Sequence, residues 1–325
     1  MIKALHKLSG PLLVLAACSG IIGPTISQAA YPDKPITIIL PFGAGGAGDK
    51  MMRIITPKVQ EALGQTIVLK TQAGAGTNIG TQLVARSKPD GYTLLVTGIP
   101  LTVNPFLYKE LAWKVSDFAP ISLLSISPYF VVVNSDMPVK TLAELIQYVK
   151  AHPKEINFAS AGAGSGAHLA GALFNQKAGT QMVHIPYKGG PQGMVDVVGG
   201  RAQVTFSTLI ASAALIASGR IRALATTGSQ RSPSFPDLPA VAESVPGYEV
   251  LSWYGLVAPA GTPDGILEKL NRAFNKALKD PQIVDLLRED DMELTPRSRI
   301  DFGRFIKSNT RIAESLVTSF DTKME

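Results

Sequence analysis

Four glycines fall within six positions of this chain, in Gly43-Ala44-Gly45-Gly46-Ala47-Gly48. An apolar run at 36–40 precedes them, and a helix-like segment follows from Lys50 onward. A buried strand feeding a helix through such a loop leaves the helix's first N–H groups without partners inside it. With no Cβ atoms in the way, a ligand can come close to the backbone. The positive end of the helix dipole then favours an anion. The construction returns at Ser160-Ala161-Gly162-Ala163-Gly164-Ser165-Gly166-Ala167-His168, again after a short apolar stretch. The chemistry these residues point to is the gripping of one anion from two sides by neutral N–H and hydroxyl donors.

Other readings draw on the same residues. Gly43-x-Gly45-x-x-Gly48 fits the dinucleotide fingerprint, which wants an acidic residue at the end of the second strand. Here that strand ends in Lys70-Thr71, which speaks against it. Plain tight packing of strand on helix also uses such glycines. Ser160 and Ser165 are either anion donors or an N-cap and turn polar groups. A serine hydrolase pairing Ser160 or Ser165 with His168 is the weaker alternative. Neither serine lies in a Gly-x-Ser-x-Gly elbow, and Ser165 has Ala163 and Ala167 at the outer positions. His168, one turn into the next helix, either donates to the anion or fixes the loop. His184 sits in an apolar strand and is expected to be structural. Of Tyr187 and Lys188, Tyr187 is the one expected to reach a cleft. Trp253 and Tyr254 read as hinge or core packing ahead of a stacking platform. The four histidines show no metal-like spacing, and Glu289-Asp290-Asp291 reads as a solvated helix end. No metal or cofactor is expected.

The elements that must position these residues alternate strand and helix, which argues for an α/β fold with mostly parallel sheets flanked by helices. Strands are expected at 36–40, 66–70, 92–96, 121–124, 129–133, 156–158, 183–185, 204–206, 221–225 and 251–258. Helices are expected at 50–63, from 78 to 86, at 141–150, through 177, at 192–198 and from 263 to 278, with more in the C-terminus. Thr141 and Glu144 have capping-box spacing. The segment from Asn104-Pro105 to Pro120 looks irregular or briefly helical, and the Pro-rich stretch 232–246 looks like a surface crossing.

At 325 residues, with 46% hydrophobic and 17% charged residues, the chain can bury a large core and favours two domains. Its formal charge of +6 falls to +4 without residues 1–30, which hold Lys3 and Lys7 and no acid. No basic run with interleaved aromatics occurs, so nucleic acid is not an expected partner. Residues 1–30 read as an export signal: two lysines, an apolar core at 12–22, a Gly23-Pro24 break and small residues near Ala29 and Ala30. Leu15-Ala16-Ala17-Cys18 also fits lipoprotein processing at Cys18. Both routes stay open. Cys18 is the single cysteine, so disulfide and thiolate chemistry is not expected in the exported chain.

An ordered set of short pieces resembles one family. They are Tyr31-Pro32-Asp33-Lys34-Pro35 with Pro41-Phe42, Ala44-Gly45-Gly46, Ala73-Gly74-Ala75-Gly76-Thr77-Asn78-Ile79-Gly80 and Lys88-Pro89-Asp90-Gly91-Tyr92. Further along come Ser160-Ala161-Gly162, Gly164-Ser165, His168-Leu169-Ala170, Pro186-Tyr187-Lys188-Gly189, Gly199-Gly200, Trp253-Tyr254-Gly255 and Ala258-Pro259-Ala260-Gly261-Thr262-Pro263. Together they resemble the substrate-binding proteins of the tripartite tricarboxylate transporters, the Bug receptors. The resemblance implies a periplasmic two-lobe binding protein of the type II, flytrap-like kind, monomeric, with no enzymatic activity. It implies lobe 1 at 31–128 plus 226–325, and lobe 2 at 129–225. The implied ligand is a small organic carboxylate, passed to a two-component membrane permease; a carboxylate-sensing receptor for a signalling system is the alternative. The implied ligand-binding residues are Phe42, Gly45, Gly46, Ala47, Gly48, Ser160, Gly164, Ser165 and His168, with Asn78 and Tyr187 at the margins and Ser207 on a later strand. Two departures stand out. Gly48 replaces the family's usual threonine before Asp49, removing a hydroxyl. Ser207 stands where the family often has an aspartate, which would suit a ligand amino group, so the chain tilts towards ligands without a cationic group.

Overall fold

The computed structural model describes residues 31–319. The export signal, the Cys18 alternative and residues 320–325 lie outside them. From the N-terminal end, β1 (Ile36–Leu40) feeds α1 (Ala47–Leu63), β2 (Ile67–Thr71) feeds α2 (Asn78–Ala85), and β3 (Thr93–Thr97) feeds α3 (Ile99–Leu107). The long β4 (Phe118–Pro128) is separated from β5 (Phe130–Asn134) by Tyr129 alone. Then come α4 (Leu142–Ala151), β6 (Asn157–Ser160), α5 (Gly166–Ala178), β7 (Val183–Pro186), α6 (Gly190–Val198), β8 (Val204–Ser207), α7 (Leu209–Ala217) and β9 (Ile221–Thr226). After α8 (Val241–Ser244) the chain continues as β10 (Leu251–Pro259), α9 (Asp264–Ala277), α10 (Pro281–Arg288), β11 (Glu293–Leu294) and α11 (Arg299–Ser319).

The strands form two sheets, ordered β11-β4-β10-β3-β1-β2 and β7-β6-β8-β5-β9. Within the first, β1, β2 and β3 are parallel, and β10 enters antiparallel between β3 and β4. Within the second, β6, β7 and β8 are parallel and β5 runs against its neighbours β8 and β9. The expected α/β architecture with helix-flanked sheets is present. Besides the two-residue β11, which runs against β4, the antiparallel members are β5 and β10, the strands by which the chain enters one sheet and re-enters the other. β1 is apolar along its length because it lies inside a sheet covered on both faces; Ile36, Ile38, Ile39 and Leu40 are all buried. β5 shows the same rule. Val131 and Val133 pack into a core with Phe158, Phe174 and Phe206, while Phe130 and Val132 face a second core with Val197 and Leu209.

Besides the four-residue α8, two helices escaped the sequence expectation. α3 contains Pro100 and Pro105, and the prolines masked a segment whose first turn tolerates one. α7 is Leu-Ile-Ala-rich with no polar stripe, so no helical period was visible. The Thr141–Glu144 cap forms: Thr141 Oγ1 accepts from Glu144 N at 3.2 Å, while the Glu144 carboxylate takes Lys140 N. Residues 232–246 are not a plain surface crossing. Val241, Val245 and Tyr248 are buried in the second sheet's core, and Tyr248 Oη donates to Ala170 O at 3.0 Å. A chain with three apolar side chains to bury stays with that core until Val250. The C-terminal helices do pack on the first sheet, through Phe302, Ile306, Ala313 and Val317 against Leu123, Trp253 and Val257.

The two strand-to-strand crossings are tied to each other at Thr227. Its Oγ1 accepts from Tyr129 N at 2.8 Å and donates to Val250 O at 2.6 Å. Its own N–H donates to Tyr129 O, and its carbonyl accepts from Val250 N. Thr227 is fully buried, so removing the hydroxyl strands two backbone groups away from water. Thr227→Val keeps the shape and is expected to destabilise the protein by about 1–3 kcal/mol for each group left unmet. A thermal melt checks this: the expected fall is several °C, roughly 2–4 °C per kcal/mol at this size, and an unchanged midpoint would refute the knot's importance.

Candidate functional site

Six strands that share their direction within a sheet each lead into a helix, and each helix begins at one cavity. The strands are β1, β2 and β3 in the first sheet and β6, β7 and β8 in the second. The N-cap residues are Gly46 (α1), Thr77 (α2), Gly98 (α3), Ser165 (α5), Gly189 (α6) and Thr208 (α7), and all six line the cavity. Three come from each sheet's helices. Strands that run together bring their carboxyl ends, and the helix starts that follow, to one edge of the sheet. Each helix start carries roughly half a positive charge, so the wall is electropositive without a buried cation. Among the described residues no acidic one lines the cavity and Lys188 is the one cationic lining residue, and it is exposed.

The cavity measures about 130 Å³, on the order of ten water-sized positions. Hydroxyls of Ser160, Thr205 and Ser207 stand on the second-sheet side, and Tyr129, Ser252 and Tyr254 stand where the crossings meet. Burial pushes the Tyr129 phenol up to about 12, with Ser252's hydroxyl beside it opposing the shift. The Tyr254 phenol is raised in the same way. Both therefore keep their protons at neutral pH and can donate.

Of the residues singled out by sequence, Phe42, Gly46, Ala47, Gly48, Ser160, Ser165 and Ser207 line this cavity. Gly45, Asn78, Gly164, His168 and Tyr187 do not, and each has a local task. Gly45 takes a positive φ of 72°, and its N–H donates to Asp49 Oδ2 at 2.8 Å. The Asn78 side-chain oxygen accepts from Asn104 Nδ2 and Trp113 Nε1. Gly164 donates its N–H to His168 Nδ1 at 3.2 Å, so His168 fixes the loop. The Tyr187 hydroxyl donates to Asp196 Oδ2 at 2.6 Å, and Arg201 Nε holds the other oxygen of that carboxylate. It is Lys188, not Tyr187, that reaches the cavity rim.

Asp49 is the positioning residue that sequence reasoning passed over. It is buried in the first turn of α1, one oxygen on Gly45 N and the other 3.0 Å from Arg53 Nε. Gly48 has a steric reason for lacking the family's side chain. A Cβ there would stand 2.9 Å from Tyr254 Cε1 and 3.0 Å from Phe42 Cδ2. These two rings meet edge to face at 5.4 Å, and the pair occupies the room a threonine would need. Tyr129, Thr205, Thr208, Ser252 and Tyr254 were also missed as lining residues. The usable signal was position for Thr208, which follows β8, and for Tyr129 and Ser252, which stand at or beside the crossings; Thr205 and Tyr254 lie within strands and carried no such signal.

The serine–histidine question resolves differently from the expectation. Ser160 Oγ lies 2.6 Å from Nε2 of His184, not of His168. His184 is stacked between Phe158 and His168, at centroid distances of 4.9 and 4.0 Å. Burial holds His168 down at about 4; burial, and then the neighbouring His168, hold His184 down at about 3. Such an imidazole is a weak base at neutral pH. Among the described residues no carboxylate is hydrogen-bonded to it, and Ser160 Oγ already accepts from Gly162 N. The arrangement suits a fixed hydroxyl, not a nucleophile. Among the described residues no cluster of metal-ligating side chains occurs, and no helix is long and apolar enough to cross a membrane.

The neutral histidine pair sets an acid limit on stability. Both folded-state values lie below the ordinary 6.5, so the unfolded chain binds more protons as pH falls through 6.5. The pair's contribution is complete above about pH 6.5 and declines towards 4 and then 3. Each histidine costs about 1.4 kcal/mol per pH unit in that window. We expect the melting temperature to drop between pH 7 and pH 5, and to drop less in His168→Asn, whose Oδ1 can take the Gly164 N–H. Equal drops in the two proteins would contradict this.

Comparison with known proteins places the architecture. Protein BugT of Bordetella pertussis is 38% identical over 276 residues, covering 84% of this chain and 84% of BugT. The solved structure of R. palustris Rpa4515 with adipate superposes with a TM-score of 0.86 at 32% identity, covering 89% of this chain and 97% of that one. MatC from Rhodopseudomonas palustris, with bound malate, gives 0.84 at 28% identity, covering 88% of this chain and all of that one. Residues 51–321 match the sequence model of the tripartite tricarboxylate transporter family receptor. With that match covering well over half of the chain and strands of both sheets, the chain belongs to the tripartite tricarboxylate transporter receptor family, whose members are periplasmic solute-binding proteins.

Proposed function

We propose that this protein captures a small organic carboxylate in the cavity between its two sheets, outside the cytoplasm, and delivers it to a two-component membrane permease without chemical change. The observation that carries the reading is the convergence of six helix N-caps on a cavity that no acidic residue lines among the described residues. Backbone N–H groups and hydroxyls supply preorganised neutral donors, and helix dipoles supply the attraction for negative charge. The size of the cavity suits a short acid. Adipate and malate, named in the two solved relatives, are short dicarboxylates. In this reading lobe 1 carries the first sheet and the C-terminal helices, lobe 2 carries the second sheet, and the chain crosses at Tyr129 and again at Thr227–Val250. The receptor works as a monomer, and residues 1–30 direct its export. Because both lobes contribute donors, the ligand binds the closed arrangement better than the open one and shifts the population towards it.

A thermal-shift screen of residues 31–325 tests the reading with succinate, malate, adipate, citrate, benzoate, glutamate and arginine. A true ligand at about 100 times its Kd adds about 2.7 kcal/mol, a rise on the order of 5 °C. A shift with one class of acid and none with arginine is the expected result. Ser207→Asp, which puts a carboxylate among the helix ends, is expected to weaken acid binding at least tenfold by titration calorimetry. A shift with arginine alone, or acid binding indifferent to Ser207→Asp, would sink the reading.

A further inference from the structure

One glycine from each anion loop, Gly43 and Gly162, meets a glycine that belongs to the other sheet's loops. A Cβ built on Gly189 would lie 2.9 Å from Gly43 Cα and 3.2 Å from Gly43 N; one built on Gly43 would lie 3.3 Å from Gly189 Cα. Pro191 of the same loop is the neighbour a Cβ on Gly46 would approach at 3.8 Å. A second contact joins Gly76 to the loop after β6: a Cβ on Gly76 would stand 2.3 Å from Ala163 O, and one on Gly162 3.6 Å from Gly76 Cα. Tyr108 Oη donates to Ala163 O there, at 3.3 Å. Lys50 Nζ, on α1, donates to Ile210 O at the start of α7, at 2.8 Å. Gly43, Gly76, Lys50 and Tyr108 belong to the first sheet's loops and helices; Gly162, Ala163, Gly189 and Ile210 belong to the second's. At Gly43–Gly189 the loops of the two sheets meet backbone on backbone, and at Gly76–Gly162 backbone meets backbone beside the Tyr108 hydroxyl.

We propose that the Gly43–Gly189 and Gly76–Gly162 contacts form a seam that makes closure possible and fixes the length of acid the receptor accepts. A ligand that fits wholly inside lets the two glycine pairs meet. One with a chain that must pass between them holds the lobes apart and forfeits the contacts of the closed form. The inference rests on the carboxylate reading for its ligand, and on the glycine geometry alone for the seam.

Gly189 offers a clean probe. Its φ of −179° is extended backbone open to any residue, so the obstacle to a side chain is the approach of Gly43 from the other sheet. Wild type, Gly189→Ala and Gly189→Leu would be compared by titration calorimetry with succinate, adipate and sebacate, and by small-angle X-ray scattering with and without each acid. Ligand-free melting temperatures would confirm that all three fold. Wild type should bind a short acid, contract on binding and reject sebacate. Gly189→Ala should bind the short acid at least tenfold more weakly. Gly189→Leu should bind it more weakly still, fail to contract, and lose the discrimination against sebacate. Folded Gly189 variants with wild-type affinity and wild-type contraction would overturn the seam, as would wild-type binding of sebacate as tight as that of the short acid. If wild type binds none of the acids, the carboxylate reading fails instead. The seam is then judged from the ligand-free proteins, where a larger radius of gyration for Gly189→Leu supports it and equal radii overturn it.

Discussion

Turning six helix starts onto one cavity is the constraint that organises this molecule. A lysine or arginine taken out of water carries a desolvation penalty of several kcal/mol; a helix start already lacks partners for its first N–H groups. Six helix starts can face one cavity only if the strands before them run the same way within their sheet. β1, β2 and β3 do so in one sheet, and β6, β7 and β8 in the other. Lys188 is then free to stay at the rim, exposed to solvent.

The second consequence of the same requirement is that the site is shared. Neither sheet owns more than half of the N-caps, so the shape of the cavity depends on how the two halves are held. The crossings do this with little material: Tyr129 on the way out, Thr227 and Val250 on the way back, cross-linked through a buried threonine hydroxyl. Tyr129, Ser252 and Tyr254 lie at or beside those crossings and also line the cavity. The crossings and part of the cavity lining are thus the same stretches of chain.

Around the cavity, buried polar groups are spent on loop shape. Asp49 holds Gly45, His168 holds Gly164, Ser165 caps α5 through His168 N, and His184 holds Ser160. Each tie fixes a loop whose glycines would otherwise be free to wander. The histidines perform this as neutral rings stacked on each other, which a charged pair at that spacing would resist. Gly48 shows the same economy from the steric side, since Phe42 and Tyr254 fill its missing side chain's place.

Much of this was written locally. The apolar run of β1, the glycine loops, the Thr141 cap and the strand–helix alternation are short-range features, set by burial and backbone freedom within a few residues, and they identified the α/β class and the two glycine loops; it was the family resemblance that named seven of the cavity's lining residues. Where prolines or an all-apolar composition hid the period, as in α3 and α7, local reading failed. What no local pattern could decide was which loops meet. That Gly43 lies on Gly189, that Ser160 pairs with His184 and not with the sequence-near His168, and that Lys188 and not Tyr187 reaches the rim all depend on strand order and on β5 and β10 entering antiparallel. Residues 24 to 146 positions apart are brought together by sheet register, and register is settled by the summed packing of both cores, which no single stretch of the chain contains.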